Sequence, residues 1–258
     1  MMIGVIGGSG LYSFFPPDAR RVEADTPYGA PSAPITVGEI AGHEVAFLPR
    51  HGVRHEYSPH TVPYRANMWA LRALGVRQVL APCAVGSLDP RLGPGAMVVP
   101  DQLVDRTAGR ASTYFDGGGI HVGFADPYCP DLRSAALVDG VLDGGTMVVI
   151  EGPRFSTRAE SRWYADQGCT LINMTGCPEA VLARELEICY APIALVTDLD
   201  AGVEVGEGVR TVDVMAEFQR NLGPFKDVVA AAIARIPAQH TCAHCLAHDG
   251  VKLPFELP

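Results

Sequence analysis

The segment Pro49-Arg50-His51-Gly52-Val53-Arg54-His55 puts two guanidinium groups and two imidazoles directly after an apolar run. The planar fork of arginine matches phosphate oxygens, so the segment reads as an anion site or as a solvated charged loop. Gly7-Gly8-Ser9-Gly10 follows another apolar run. Its backbone N–H groups and the Ser9 hydroxyl would face an anion, or the turn is purely structural. It is not a dinucleotide fingerprint, since residue 13 is Ser where a third Gly is required, nor a P-loop, since no Gly-Lys-Ser/Thr follows. Cys83-Ala84-Val85-Gly86-Ser87 places small residues after a third apolar run, and Asn173-Met174-Thr175-Gly176 a hydroxyl after a fourth. Thr197-Asp198-Leu199-Asp200 carries two carboxylates two positions apart, which an extended segment presents on one face. Buried carboxylates are costly without partners. These two are acid/base or hydrogen-bonding groups, a metal pair, or caps of the following turn.

The elements that must position these groups alternate between strand and helix. Apolar runs at 2–6, 33–40, 43–49, 78–84, 96–100, 147–150, 169–174 and 191–197 read as strands. Helical spacing marks 64–74 with Gly75 as stop, 156–167 with Gly168 as stop, and 179–187 with Pro178 in the first turn. A last long helix begins near Thr211 as N-cap. Its apolar residues Met215, Phe218, Leu222, Phe225, Val229, Ala232 and Ile236 recur every three or four positions. Gly223-Pro224 favours a kinked helix on a sheet over a coiled-coil seam. The pattern predicts one α/β domain over 1–258, with a mixed central β-sheet flanked by helices and a C-terminal tail at 239–258. Four candidate strand ends suggest one crevice at the sheet edge, where open α/β sheets hold ligands.

Composition narrows the function. The chain has 258 residues, 48% of them hydrophobic and 19% charged, enough for a sizeable core. A net charge of -9 argues against a nucleic-acid binder. No apolar run approaches the length of a membrane span. The first seventeen residues carry no charge, but they lack a basic n-region and are broken by Gly7, Gly8 and Gly10, so they do not read as a signal peptide. Seven cysteines in mostly apolar contexts read as reduced core thiols of a cytoplasmic protein.

Taken together, several stretches resemble the group formed by trimeric purine nucleoside phosphorylases and 5'-methylthioadenosine phosphorylases. They include Gly4-Val5-Ile6-Gly7-Gly8-Ser9-Gly10, Thr26-Pro27-Tyr28-Gly29, Leu48-Pro49-Arg50-His51-Gly52, and Tyr64-Arg65-Ala66-Asn67-Met68-Trp69-Ala70-Leu71. Further on come Glu151-Gly152-Pro153-Arg154-Phe155-Ser156-Thr157, Asn173-Met174-Thr175 and Pro178-Glu179-Ala180. The likeness runs from Met2 to about Ile236.

The resemblance implies phosphorolysis of a purine nucleoside, with inorganic phosphate as co-substrate and no metal or organic cofactor. By position, Ser9, Arg50, His51, Thr175 and the backbone of Ala84 resemble the phosphate site. Met174 resembles the residue beneath the ribose. Phe155, Ser156, Asp198 and Asp200 resemble the base site, and His121 a position near the 5' end of the nucleoside. Within the group, Glu at position 156 resembles 6-oxopurine enzymes and Ser resembles methylthioadenosine enzymes. Two aspartates replace the Asn usual in 6-oxopurine enzymes and would accept from an exocyclic amine. The reading is therefore a 6-aminopurine nucleoside, 5'-methylthioadenosine first. The alternatives are a broader purine nucleoside phosphorylase and a non-catalytic nucleoside-binding protein. Cys83 stands where such enzymes often carry Thr, and the stretch 202–209 departs from the family. The resemblance also implies a homotrimer, with a neighbouring subunit closing the 5' pocket.

The tail holds Cys242, Cys245, His240, His244 and His248. C-x-x-C requires two further ligands for a zinc site. A reduced tail packed on a neighbouring subunit is the reading taken, with no metal.

Overall fold

A computed structural model describes the chain except for residues 1, 9, 12–14, 17, 119, 204–207, 238, 240–241, 247–252 and 254. Ser9 and part of the stretch 202–209 therefore lie outside the described residues, as do His240 and His248. Eleven strands form one mixed sheet among the described residues. Its centre is built from β1 (Ile3–Gly7), β4 (His43–Pro49), β5 (Gln78–Ser87) and β11 (Cys189–Leu199). β1 pairs in parallel with β4 and β5, and β5 pairs in parallel with β11 along its whole length. Such strands are covered on both faces, so they read as unbroken apolar runs rather than alternating ones. Every residue of β1 is buried.

β3 (Ile35–Ile40) and β2 (Arg20–Val22) extend the sheet antiparallel beyond β4. On the other side, the second half of β5 leaves β1 and meets β10 (Cys169–Asn173) antiparallel, through Gly86 and Ser87. β9 (Thr146–Ile150) and β7 (Gln102–Arg106) continue from β10. β6 (Met97–Val99) and β8 (Val141–Asp143) flank the free side of β11. β2, β7 and β8 are short and partly exposed, so they lack the apolar run that reveals a strand in sequence.

Helices cover both faces. α1 (Tyr64–Ala73) and α4 (Gly176–Glu185) pack against each other in one layer, and α2 (Pro130–Ala136) and α5 (Thr211–Arg235) in another. α5 buries Phe218, Phe225, Val229, Ala232 and Ile233. Each fully buried Phe, Val or Ile side chain contributes about 1.5–3 kcal/mol. The helix runs through Pro224, and its N-cap is Arg210 rather than Thr211. Arg210 instead pairs with Asp213 at 2.7 Å.

Three expected boundaries shift in ways that matter for the crevice. β5 continues to Ser87, so Cys83-Ala84-Val85-Gly86-Ser87 lies inside a strand and is not a turn after it. α3 (Arg158–Asp166) starts two residues later than position 156 because Thr157 and Glu160 form a capping box. That leaves Ser156 in the extended segment before the helix. α4 starts at Gly176, ahead of the expected 179.

Candidate active site

The carboxyl ends of β1, β4, β10 and β11, with the middle of β5, open onto one cavity of about 230 Å³. Parallel pairing makes this unavoidable for the first two strands: Gly7 faces Pro49 in register, and the Arg50 N–H donates to the Gly7 carbonyl at 2.8 Å. Of the residues singled out in the sequence, Arg50, His51, Ala84, Phe155, Ser156, Met174, Thr175, Asp198 and Asp200 all line this space. His121 is exposed and is not part of the cavity wall of its own chain.

At one end stands Arg50, only 2% exposed. Its fork does not point into the cavity as the sequence suggests. Nε and Nη2 instead donate to the two carboxylate oxygens of Glu179, at 2.6 and 3.0 Å. Nη2 also donates to the Ile6 carbonyl at 2.8 Å. Nη1, bonded to the Pro82 carbonyl at 3.3 Å among the described residues, is the nitrogen with donor capacity left for a ligand. Burial works against the charge of Arg50, but Glu179 more than offsets it, and the guanidinium stays protonated. Glu179 itself is fully buried and also accepts from the Tyr190 hydroxyl at 2.8 Å.

The expected cluster of four cationic residues shrinks on inspection. Arg54 is exposed and does not line the cavity. Burial, with Arg50 and His55 adding to it, pushes His51 down to about 4. It is therefore neutral at pH 7. Its Nδ1 lies 2.9 Å from the Tyr57 carbonyl, which only a protonated Nδ1 can satisfy. Nε2 is then an acceptor, suited to a hydroxyl of hydrogen phosphate or of a sugar. His55 stacks on this ring at 4.6 Å.

Asn173 organises the next wall. Its Oδ1 accepts from the Thr175 and Gly176 N–H groups, both at 2.7 Å, and its Nδ2 donates to the Ala84 carbonyl at 3.1 Å. The N–H groups of Thr175 and Gly176 are thus already satisfied, and the Thr175 hydroxyl, 3.3 Å from Asn173 Oδ1, is what this turn offers a ligand. Ala84 alone of the ten residues of β5 is exposed. Burial pushes the neighbouring Cys83 thiol up to about 12, so this position is an uncharged thiol beside Arg50.

The other end carries the carboxyl groups. The register of β11 against β5 slips between Val196 and Asp198. This bulge at Thr197 aims Asp198 into the cavity. Gly86 leaves room for it: a Cβ there would lie 3.0 Å from Asp198 Oδ1. Thr197 Oγ1 sits 2.8 Å from Asp198 Oδ2. Burial pushes the Asp198 carboxyl up to about 6, the Thr197 hydrogen bond opposing and Asp200 adding. Asp200 is buried and accepts from the Ser156 hydroxyl. The aspartates are therefore held by Thr197 and Ser156, and among the described residues neither side chain caps the following turn.

Several contributors were not singled out beforehand. Glu179 is the clearest, and its only sequence signal is an acid in the first turn of α4. Val214, Met215 and Phe218 bring α5 to the cavity, which no local motif reveals. Arg110 is nearly buried and ties the crevice loops together. Its Nη1 donates to the carbonyls of Met174 and Cys177 at 2.9 and 2.7 Å, and its Nη2 to the Glu151 carbonyl at 2.6 Å.

A pocket with one guanidinium nitrogen, a hydroxyl and an imidazole acceptor at one end suits an oxyanion. Two carboxyl groups at the other suit a nitrogen-rich, amine-bearing ring. Among known proteins, residues 2–234 match the phosphorylase superfamily. The chain belongs to that superfamily. It is 74% identical to the S-methyl-5'-thioadenosine phosphorylase of Mycolicibacterium smegmatis, over 100% of both chains. Its fold is similar to that of a crystal structure of methylthioadenosine phosphorylase from an antarctic soil metagenomic library. The TM-score is 0.88 and the identity 43%, over 96% of this chain and 90% of that one. The methylthioadenosine phosphorylase of Schistosoma mansoni, solved in complex with adenine, matches at TM-score 0.87 and 34% identity, over 93% of each chain. The mixed-sheet α/β architecture of this superfamily member thus agrees with the class expected from sequence. No helix among the described residues is long and apolar enough to cross a membrane.

Proposed function

We propose that the chain catalyses phosphorolysis of 5'-methylthioadenosine to adenine and 5-methylthioribose 1-phosphate. The observation that carries this is the opposition, within one cavity, of an Arg50–Thr175 anion end and an Asp198–Asp200 carboxyl end. The relatives named above support the substrate. Phosphate, held by Arg50 Nη1, Thr175 and the Ala84 wall, attacks C1' with an oxygen lone pair. The electrons of the C1'–N9 bond pass to the purine. Asp198, the carboxyl group with the raised pKa, shares its proton with N7 as charge builds there. Asp200 and Ser156 accept from and orient the 6-amino group, with Phe155 against the base and Met174 beneath the sugar. No step calls for a metal or an organic cofactor.

The same reading includes a homotrimer and a cytoplasmic location. The exposure of His121 outside the cavity of its own chain supports the first, since this reading assigns it to the 5' end of a nucleoside bound by a neighbouring subunit. The seven buried free cysteines support the second. The deciding assay incubates the protein with methylthioadenosine, adenosine or inosine, with and without phosphate, and follows the free base. Phosphate-dependent adenine release, fastest from methylthioadenosine, is expected. Release without phosphate, or no release, overturns the proposal.

A further inference from the structure

The second concentration of reactive side chains lies at the opposite end of β11 from the aspartates. Cys189 opens that strand, nine residues before Asp198, or about 30 Å along it. Cys129 is the N-cap of α2. Cys242 and Cys245 come from the tail. The four sulfur atoms all lie within 4.8 Å of one another, and all four residues are buried. Cys129 Sγ is 3.6 Å from Cys242 Sγ, and Cys242 Sγ is 3.9 Å from Cys245 Sγ. These separations are far too long for a disulfide, whose S–S bond is about 2.0 Å. They fit the edges of a tetrahedron: four thiolates about 2.3 Å from a zinc ion stand about 3.8 Å apart.

We propose that Cys129, Cys189, Cys242 and Cys245 form a structural zinc site that fastens the C-terminal tail to the main domain. The tail alone supplies only half of a ligand set. The tertiary fold adds the other half from two segments far apart in sequence. On binding, each thiol releases its proton to solvent, and the four thiolates complete the shell of the metal. No coordination position is left open, so the site is structural rather than catalytic. It also reverses the expectation of a tail packed on a neighbouring subunit: Cys242 and Cys245 sit in the same core cluster as Phe225 and Ile233 of their own chain.

The test uses the full chain, expressed in zinc-supplemented medium and purified without chelator or histidine tag. Elemental analysis is expected to find about one zinc per chain. Cobalt exchanged into the site is expected to give the intense visible bands of tetrahedral coordination and a thiolate charge-transfer band. The Cys242→Ser/Cys245→Ser variant, neither residue of which lines the cavity, should hold no zinc and keep its turnover at low temperature. It should melt lower by on the order of 10 °C. Wild-type protein that contains no zinc and takes up neither zinc nor cobalt overturns the proposal. So does mass spectrometry showing these cysteines paired as disulfides, or zinc retained in the double variant.

Discussion

Arg50 and Glu179 meet through two charge-assisted hydrogen bonds in a wholly buried pair, with Glu179 0% exposed. The guanidinium that gives the cavity its positive charge is therefore aimed by a carboxylate that never touches the cavity. A buried pair of this kind is held less for net stability than for geometry, since removing one partner strands the other charge.

Glu179→Gln should accordingly destabilise the protein by about 3–5 kcal/mol in urea unfolding, because Arg50 is left with an uncompensated buried charge. Its KM for phosphate should rise more than its KM for nucleoside. Equal rises in both constants would make Glu179 a purely structural residue.

Asp198→Asn should have opposite effects on activity and stability. Turnover of methylthioadenosine should fall by on the order of 10²–10⁴, since an amide cannot pass a proton to N7. The carboxyl group has a folded pKa of about 6 against an ordinary 3.8, so the folded protein holds a proton that the unfolded chain has released. The stability this contributes is complete below the ordinary value and is lost as pH rises through about 6. At pH 8 the variant should thus be more stable than wild type by about 3 kcal/mol, and melt higher, with the gap closing near pH 4. Melting curves at the two pH values check the sign.

The same shift predicts a pH profile. If the protonated carboxyl group assists departure of the base, kcat/KM should decline as pH rises above about 6, and Asp198→Asn should lack that limb. A limb that survives the substitution would assign it to another group.

Ser156→Glu alone should not convert the protein into a 6-oxopurine enzyme. The hydroxyl it replaces donates to Asp200, so the new carboxylate would face an existing one in a buried site. Adenosine and methylthioadenosine activity should fall at least about tenfold with no gain on inosine. Adding Asp200→Asn relieves the repulsion, and inosine turnover should then appear. Specificity constants for both bases across this double-mutant cycle measure the coupling.

The oligomer prediction is tested by sedimentation together with His121→Ala. A homotrimer is expected, and the substitution should raise the KM for methylthioadenosine while leaving phosphate use unchanged. A fully active monomer would be incompatible with a shared 5' pocket.

The sequence by itself determined which segments form the sheet and where the chemistry collects. Strands buried on both faces must be continuously apolar, so β1, β4, β5 and β11 announce themselves, and so do the polar residues at their ends. Arg50, Thr175, Asp198 and Asp200 were therefore legible as members of one crevice. Their pairings were not. Glu179 lies 129 positions from Arg50, and Ser156 lies 44 positions from Asp200. Local periodicity carries no information about such pairings. The direction of the Arg50 fork, the neutrality of His51 and the raised pKa of Asp198 are set by burial and by neighbouring groups. Only the tertiary structure could decide them. The four cysteines show the same division: the tail supplied a C-x-x-C pair, and the fold supplied Cys129 and Cys189 to face it.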